Sequence, residues 1–179
     1  MGMAIFIISL AVVFLTTILA YVVSRLGFQG AWPPPDAPPL PALLIGSTVL
    51  IVVSSGSMLR AVASVRADRL EHLQRWIVVT FVLGVGFLVV QGLAWRELVA
   101  AHFLVDDHLY AWAFYLLTGI HAAHLLGGLV PMAVVLVRSS KRRYSSERYQ
   151  GIQMLATYWH FLDLAWIGLY ATLIWGASE

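Results

Sequence analysis

The stretch "YAWAFYLLTGIHAAHLLGGLVP", residues 110–131, decides the fold class, because it holds two histidines but no Asp, Glu, Lys or Arg. About 20 apolar residues in a helix cross the hydrocarbon core of a bilayer, which is about 30 Å thick. Lipid offers the backbone no hydrogen-bond partner, so such a run is expected to be helical. The stretch therefore predicts a transmembrane helix that carries polar groups near mid-membrane.

The composition of the whole chain agrees with a membrane protein. Of its 179 residues, 60% are hydrophobic and 11% are charged, whereas soluble domains average about 25% charged residues. The mean hydropathy is +0.84. The absence of cysteine excludes a disulfide framework and a thiolate metal site. The small net charge of +2, with its basic residues clustered in short segments, indicates membrane topology and no nucleic-acid partner.

Five apolar runs are long enough to cross a bilayer. We predict an all-α membrane protein, a single transmembrane domain over residues 1–179 with five transmembrane helices in a bundle. The spans are expected at about residues 4–23, 40–63, 76–95, 109–137 and 153–175. Residues 25–41 are rich in proline and glycine, which favours an extended loop rather than a helix.

The charges in the connecting segments predict the orientation. Basic side chains outnumber acidic ones in residues 60–75 and 138–148, whereas residues 96–108 carry one arginine against three acids. Loops rich in Lys and Arg stay on the cytoplasmic side. We therefore expect a cytoplasmic N-terminus, an external (periplasmic) C-terminus and an external proline-rich loop.

Four polar residues lie inside the last two spans. His121 and His124 in the fourth span, and His160 and Asp163 in the fifth, are each spaced three residues apart, so each pair shares a helix face. Counting about 1.5 Å per residue places all four in one layer of the bilayer. Antiparallel helices joined by a short loop usually pack together. We therefore expect the two polar faces to meet, helped by close approach at Gly119, Gly127 or Gly128.

Three interpretations of these polar residues remain open from the residues alone. A buried Asp costs about 2.5–3.5 kcal/mol at mid-bilayer, so a structural polar network that satisfies it is the first. A proton relay is the second. The third is a metal or b-type haem site, in which His160 would pair with His121 or His124, since the two histidines on one face cannot ligate one iron from opposite sides.

Several motifs resemble the subunit III family of haem–copper oxidases, the cytochrome c and quinol oxidases of respiratory chains. "GIHAAHLLGG" (119–128) resembles the family's "GFHGLHVIxG", and "YWHFLDLAWIGLY" (158–170) resembles its "YWHFVDxVWxxLY". "GMAIFIIS" (2–9), "WPPP" (32–35) and "TFVLGVGFLVVQ" (80–91) resemble other family segments in the same order. The resemblance covers nearly the whole chain and corresponds to the last five of the seven helices found in many members.

The resemblance implies a non-catalytic accessory subunit of a bacterial haem–copper terminal oxidase in the plasma membrane. Its expected partners are subunit I, subunit II and other respiratory-complex subunits, together with structural phospholipid. Haem and copper are expected in the catalytic partner, with no catalytic, cofactor or metal site in this chain. His121, His124, His160 and Asp163 then correspond to the family's intramembrane polar positions. A b-haem membrane anchor or quinone-linked electron carrier is the alternative.

Two residues depart from the family pattern. The family usually carries a glutamate where this chain has Leu10, and a second one where it has Ala94. Leucine cannot hold or pass a proton, so a proton-uptake role tied to the first of those acids is not expected to operate in the same way here.

Overall fold

The computed structural model describes residues 2–141 and 143–178, whose regular structure is helical apart from one isolated bridge between Ser145 and Arg148. The helices are α1 (Gly2–Gly27), α2 (Leu43–Arg66), α3 (Leu70–Ala100), α4 (Leu109–Ser140) and α5 (Gln150–Ala177). The predicted all-α architecture of five helices is confirmed.

Four of the helices close into a ring. α2 packs against α3 and α5, α4 packs against the same two helices, and the α2–α3 contact is the most extensive. α1 lies outside this ring and contacts α5 and, less extensively, α4. The core between the helices is rich in large side chains, including the fully buried Trp159, Trp166, Phe87 and Phe114. The ring therefore provides a protein interior, whereas α1 is a helix added to its surface.

The helix boundaries differ from the expected spans mainly at the charged ends. The segment 60–75, expected as a loop, is helical except for residues 67–69, so α2 and α3 form a tight hairpin. α3 likewise continues to Ala100 and α4 to Ser140. The apolar run ends at the first charged residue. The helix itself can continue beyond that residue, because long arginine side chains extend to water. α2 instead begins later than expected, at Leu43, after the last proline of the loop.

Helices α1 to α4 are each long and apolar enough to cross a membrane. α5 is not one of these helices, because its apolar residues are interrupted by His160, Asp163 and several Tyr and Trp residues. At 28 residues it would extend over about 42 Å, more than the hydrocarbon thickness. Its acid, Asp163, is buried, whereas His160 is partly exposed and bonds to Ser55 of α2, so a neighbouring helix supplies polar contact to this part of α5.

Glycines allow close helix contacts at three points along α5, and at one of them, Gly176, the Tyr21 side chain of α1 occupies the place of a Cβ. A Cβ at Gly84 of α3 would lie 2.7 Å from the ring of Trp159, and one at Gly128 of α4 would lie 2.7 Å from the ring of Tyr158. Both glycines are buried. The expected close approach of α4 to α5 therefore occurs at Gly128, whereas a Cβ at Gly119 would meet no atom within 4 Å.

The contact of α1 with the ring is narrow. Leu10, Phe14 and Tyr21 are its buried residues, and most of its other side chains are exposed and apolar. At its C-terminal end, Arg25 donates hydrogen bonds to the carbonyls of Trp175 and Ser178, and its guanidinium lies 4.0 Å from the Trp175 ring centroid. A cation that binds the last carbonyls of α5 also compensates the negative end of that helix.

Candidate functional site

The two polar residues of α5 form a cluster with α2. His160 Nδ1 lies 2.7 Å from the Ser55 hydroxyl oxygen, which is a hydrogen bond, and 3.8 Å from Asp163 Oδ2, which is an imidazole–carboxylate contact. The His160 side chain is 28% exposed, whereas that of Asp163 is only 5% exposed. The cluster therefore lies in the seam between α2 and α5, with the acid turned inward and the imidazole nearer the surface.

Asp163 has no strong hydrogen bond in the described part of the chain. Both of its carboxylate oxygens are buried, and neither meets a donor at hydrogen-bond distance. The imidazole of His160 and the hydroxyl of Ser55 are the polar groups that surround it. Because lipid cannot solvate a carboxyl group, this small polar cluster is what makes the burial of an acid tolerable.

His121 lies in an aromatic cage rather than at the α5 acid. Its ring centroid is 5.0 Å from that of Trp166, 5.4 Å from that of Phe87 and 6.1 Å from that of Phe14. The residue is fully buried, and neither ring nitrogen meets a hydrogen-bond partner in residues 2–141 and 143–178. α1, α3 and α5 each contribute one of these rings, so the His121 side chain is held by van der Waals packing in the interior of the molecule.

His124 binds its own helix. Its Nδ1–H donates to the carbonyl of Ile120 at 2.8 Å, and its ring packs against Phe14 of α1. The backbone carbonyl of His124, not its side chain, links α4 to α5, because it accepts the hydroxyl of Tyr158 at 2.8 Å. Of the four polar residues singled out in the sequence, the structure therefore brings His160 and Asp163 together and places His121 and His124 apart from them, in aromatic surroundings.

A row of hydroxyls on α2 supplies partners that the sequence analysis did not identify. Trp159 Nε1–H donates to Ser54 Oγ at 3.0 Å, and Trp166 Nε1–H donates to Thr48 Oγ1 at 2.9 Å. Together with Ser55, these hydroxyls line the face of α2 that meets α5. The segment "GSTVLIVVSSGS" (46–57) was the available signal, since small hydroxyl residues in an apolar span favour helix–helix contacts.

Gln91 of α3 is a second residue that the sequence analysis missed. Its side chain is 1% exposed, and neither amide atom has a partner in the described residues. Leu10 and Ala94, which replace the acids of the family pattern, are both buried. Gln91 lies one helical turn before Ala94, so it is the polar side chain that this chain keeps in that part of α3.

The described residues contain no group of three or more His, Cys, Asp or Glu arranged to hold a metal ion. The histidines required by the b-haem alternative are engaged differently: His160 with Ser55 of α2, and His121 with three aromatic rings. A porphyrin between them would have to displace both sets of contacts. The polar positions therefore fit helix packing better than iron ligation.

The loops at one end of the bundle are joined by a separate polar contact. Asp68 accepts the backbone N–H of Ser146 on Oδ1 and the Ser146 hydroxyl on Oδ2, both at 2.6 Å. These hydrogen bonds, that of the hydroxyl first, hold the pKa of Asp68 below its ordinary value of 3.8. Asp68 also adopts a φ of 53°, in the left-handed region that ends α2. The contact joins the loop after α2 to the loop before α5.

Comparison with known proteins identifies similar chains of one kind. The family model described as cytochrome c oxidase subunit III matches residues 1–178. The probable cytochrome c oxidase subunit 3 of Nocardia farcinica is 30% identical over 153 residues, which cover 86% of this chain and 75% of that protein.

Relatives from other organisms give similar values. The cytochrome c oxidase subunit 3 of Synechocystis sp. is 33% identical over 171 residues, covering 94% of this chain and 72% of that protein. That of Sus scrofa is 32% identical over 183 residues, covering 99% and 69%. The similarity thus extends over all five helices of the chain.

Proposed function

The chain belongs to the cytochrome c oxidase subunit III family, and from this membership we propose how it functions. It is an accessory, non-catalytic subunit of a haem–copper oxidase, a respiratory complex that transfers electrons to oxygen. The observation that carries this assignment is the family match over residues 1–178, which includes both histidine motifs. The structure is consistent with it, because helices α1 to α4 are suited to a membrane and the ring of α2 to α5 encloses a packed interior.

The chain acts as part of a complex with other oxidase subunits. We place it, more specifically, in a bacterial plasma membrane, in contact with subunit I and with subunit II nearby. The haem and copper centres would lie in the catalytic partner. The exposed apolar sides of the helices, such as that of α1, are available for partner helices and for phospholipid. We also propose that the chain forms one transmembrane domain whose N-terminus is cytoplasmic.

His121, His124, His160 and Asp163 have a structural role in this proposal. The α2–α5 seam is held by hydroxyls that meet His160, Trp159 and Trp166, and His121 fills an aromatic cage. Buried polar groups of this kind fix how helices pack without performing chemistry. The chain would therefore stabilise the catalytic subunit by packing against it. In this way it would support proton uptake during turnover.

Co-purification tests the assignment directly. An affinity-tagged chain, solubilised from its membrane in a mild detergent, should bring with it subunits that contain haem and copper. The visible spectrum of the sample should belong to those subunits and should disappear when they are stripped away. A stoichiometric Soret band that stays with the isolated chain and is lost in His160→Ala would refute this function in favour of the b-haem anchor.

A further inference from the structure

A basic pocket lies where α2 ends and α3 begins. Its lining includes Arg60 and Ser64 from α2, Arg69 from the connection, and His72 and Trp76 from α3. The Arg60 guanidinium lies 4.8 Å from the ring centroid of Trp76, so the aromatic ring holds one wall of the pocket in place. None of the polar residues discussed so far belongs to this pocket.

No carboxylate of the described residues forms an ion pair with an arginine of the pocket, although Asp68 and Glu71 line the adjacent surface beside Arg69. Within residues 2–141 and 143–178, no carboxylate oxygen lies within 4.0 Å of a side-chain nitrogen of Arg60, Arg69 or His72. Asp68 directly precedes Arg69, but both of its oxygens are bound to Ser146. The guanidinium groups of Arg60 and Arg69 therefore have no carboxylate partner among the described residues at this end of the α2–α3 hairpin. An anion is the ligand that such a site favours.

The surface next to the pocket is apolar. Val53, two turns before Arg60 on α2, is 52% exposed, and Val79, one turn after Trp76 on α3, is 39% exposed. Tryptophan is typical of the boundary between hydrocarbon and water, where headgroups lie. A ligand at this site therefore meets cationic groups at the bilayer surface and hydrocarbon below it.

We propose that this pocket binds the headgroup phosphate of an anionic phospholipid, such as phosphatidylglycerol. Arg60 and Arg69 hold the phosphate, and the acyl chains follow the α2–α3 face past Val53 and Val79. A soluble phosphate would make no use of that apolar face, which is why we assign a lipid. The proposal rests on the membrane placement of the proposed function but not on the identity of the partner subunits.

Lipid binding to the full chain in its complex provides the test. Native mass spectrometry of the complex in detergent, with phosphatidylglycerol or phosphatidylcholine added, should show a preference for phosphatidylglycerol. Arg60→Gln and Arg69→Gln should each weaken the retention of phosphatidylglycerol about fivefold, the effect of one cationic side chain near an anionic headgroup. Arg75→Gln is the matched control, because it removes an exposed charge at the same end of α3 but outside the pocket.

Several results would overturn the proposal. Equal retention of the two lipids would show that the pocket does not select an anionic headgroup. An equal loss in Arg75→Gln would show that only the net charge of this surface matters. Displacement of the lipid by millimolar inorganic phosphate would indicate a site for soluble anions. The same samples report which subunits co-purify, so a missing partner refutes the proposed function while the lipid measurement still decides the pocket.

Discussion

Two helix seams of this molecule treat buried polar groups in opposite ways. In the α2–α5 seam, Ser54, Ser55 and Thr48 each meet a nitrogen from α5 at 2.7–3.0 Å. In the α3–α4 seam, Trp95 donates to Thr118 at 3.1 Å, but the nearby Gln91 and His121 have no partner in the described part of the chain. The α2–α5 seam is pinned by hydrogen bonds, although the two Asp163 oxygens within it meet no donor among the described residues, and the α3–α4 seam is filled mainly by shape.

The difference follows from the size of the polar side chains. A serine or threonine lets two helices approach closely and offers an oxygen at the surface of its own helix. Its hydroxyl hydrogen also bonds the helix backbone, as Ser54 does with Ile51, which leaves the lone pairs for a partner. A glutamine or histidine is larger, and aromatic neighbours such as Phe87 surround it before a donor can reach it. Hydrogen bonds in this bundle therefore depend on small residues.

Asp163 should give the largest effect, because it is the buried acid of the pinned seam. The carboxyl group of Asp163 faces the His160 imidazole at 3.8 Å, and an apolar replacement that removes this polar neighbour is expected to cost about 3 kcal/mol. Asp163→Leu should lower the unfolding free energy by this amount, whereas Asp163→Asn, which keeps a polar side chain beside His160, should cost about 1 kcal/mol. Recovery and thermal unfolding of the two variants in detergent measure the difference. Equal recovery of both would show that the pair does not hold the seam.

Ser54 tests the hydroxyl row itself. Ser54→Ala leaves the indole N–H of the fully buried Trp159 without an acceptor, at a cost of about 1–3 kcal/mol. Ser9→Ala is the matched control, because the Ser9 hydroxyl is exposed and bonds only to its own helix. Thermal unfolding should separate the two variants. A Ser54→Ala protein as stable as the control would mean that the seam is held by packing alone.

Gln91 and His121 should respond in the opposite direction. Replacing an unpartnered buried polar group with an apolar one of similar shape is often neutral or stabilising. Gln91→Leu and His121→Phe should therefore change the unfolding free energy by less than about 1 kcal/mol or raise it. A loss comparable to that of Ser54→Ala would reveal a partner, such as a buried water, and would remove the contrast between the seams.

Asp68 should give the smallest effect, and one that depends on pH. Its pKa in the folded protein lies below the ordinary value of 3.8, so it stabilises the folded state above that value. This stabilisation is lost as the pH falls through the lower, folded-state pKa. Asp68→Asn should flatten the acid side of the stability profile while keeping the left-handed backbone, which asparagine adopts readily.

Asp106→Asn is the control for Asp68. It removes an exposed acid from the loop at the other end of the bundle, where no hydrogen bond to the Asp106 side chain is found in the described residues. Its stability should follow that of the unmodified chain between pH 5 and pH 2, expressed relative to neutral pH. If both variants flatten the profile equally, the Asp68–Ser146 contact contributes nothing specific.

More of the fold than of the candidate site could be predicted from the sequence. The five helices follow from apolar runs separated by charged or proline-rich segments, because the hydrocarbon thickness fixes how many residues a span requires. The spacing of His160 and Asp163 correctly placed them on one face of α5. Their partner could not be found in this way, since helical spacing states which residues share a face but not which neighbour that face meets.

The sequence by itself determined the helices, their approximate lengths and the residues that carry polar groups inside them. Only the tertiary structure decided that α5 turns His160 and Asp163 toward Ser55 of α2, and that Phe14, Phe87 and Trp166 enclose His121. The physical reason is that helix formation in lipid is a local backbone requirement. The rotation of each helix about its axis is instead set by packing against all of its neighbours at once.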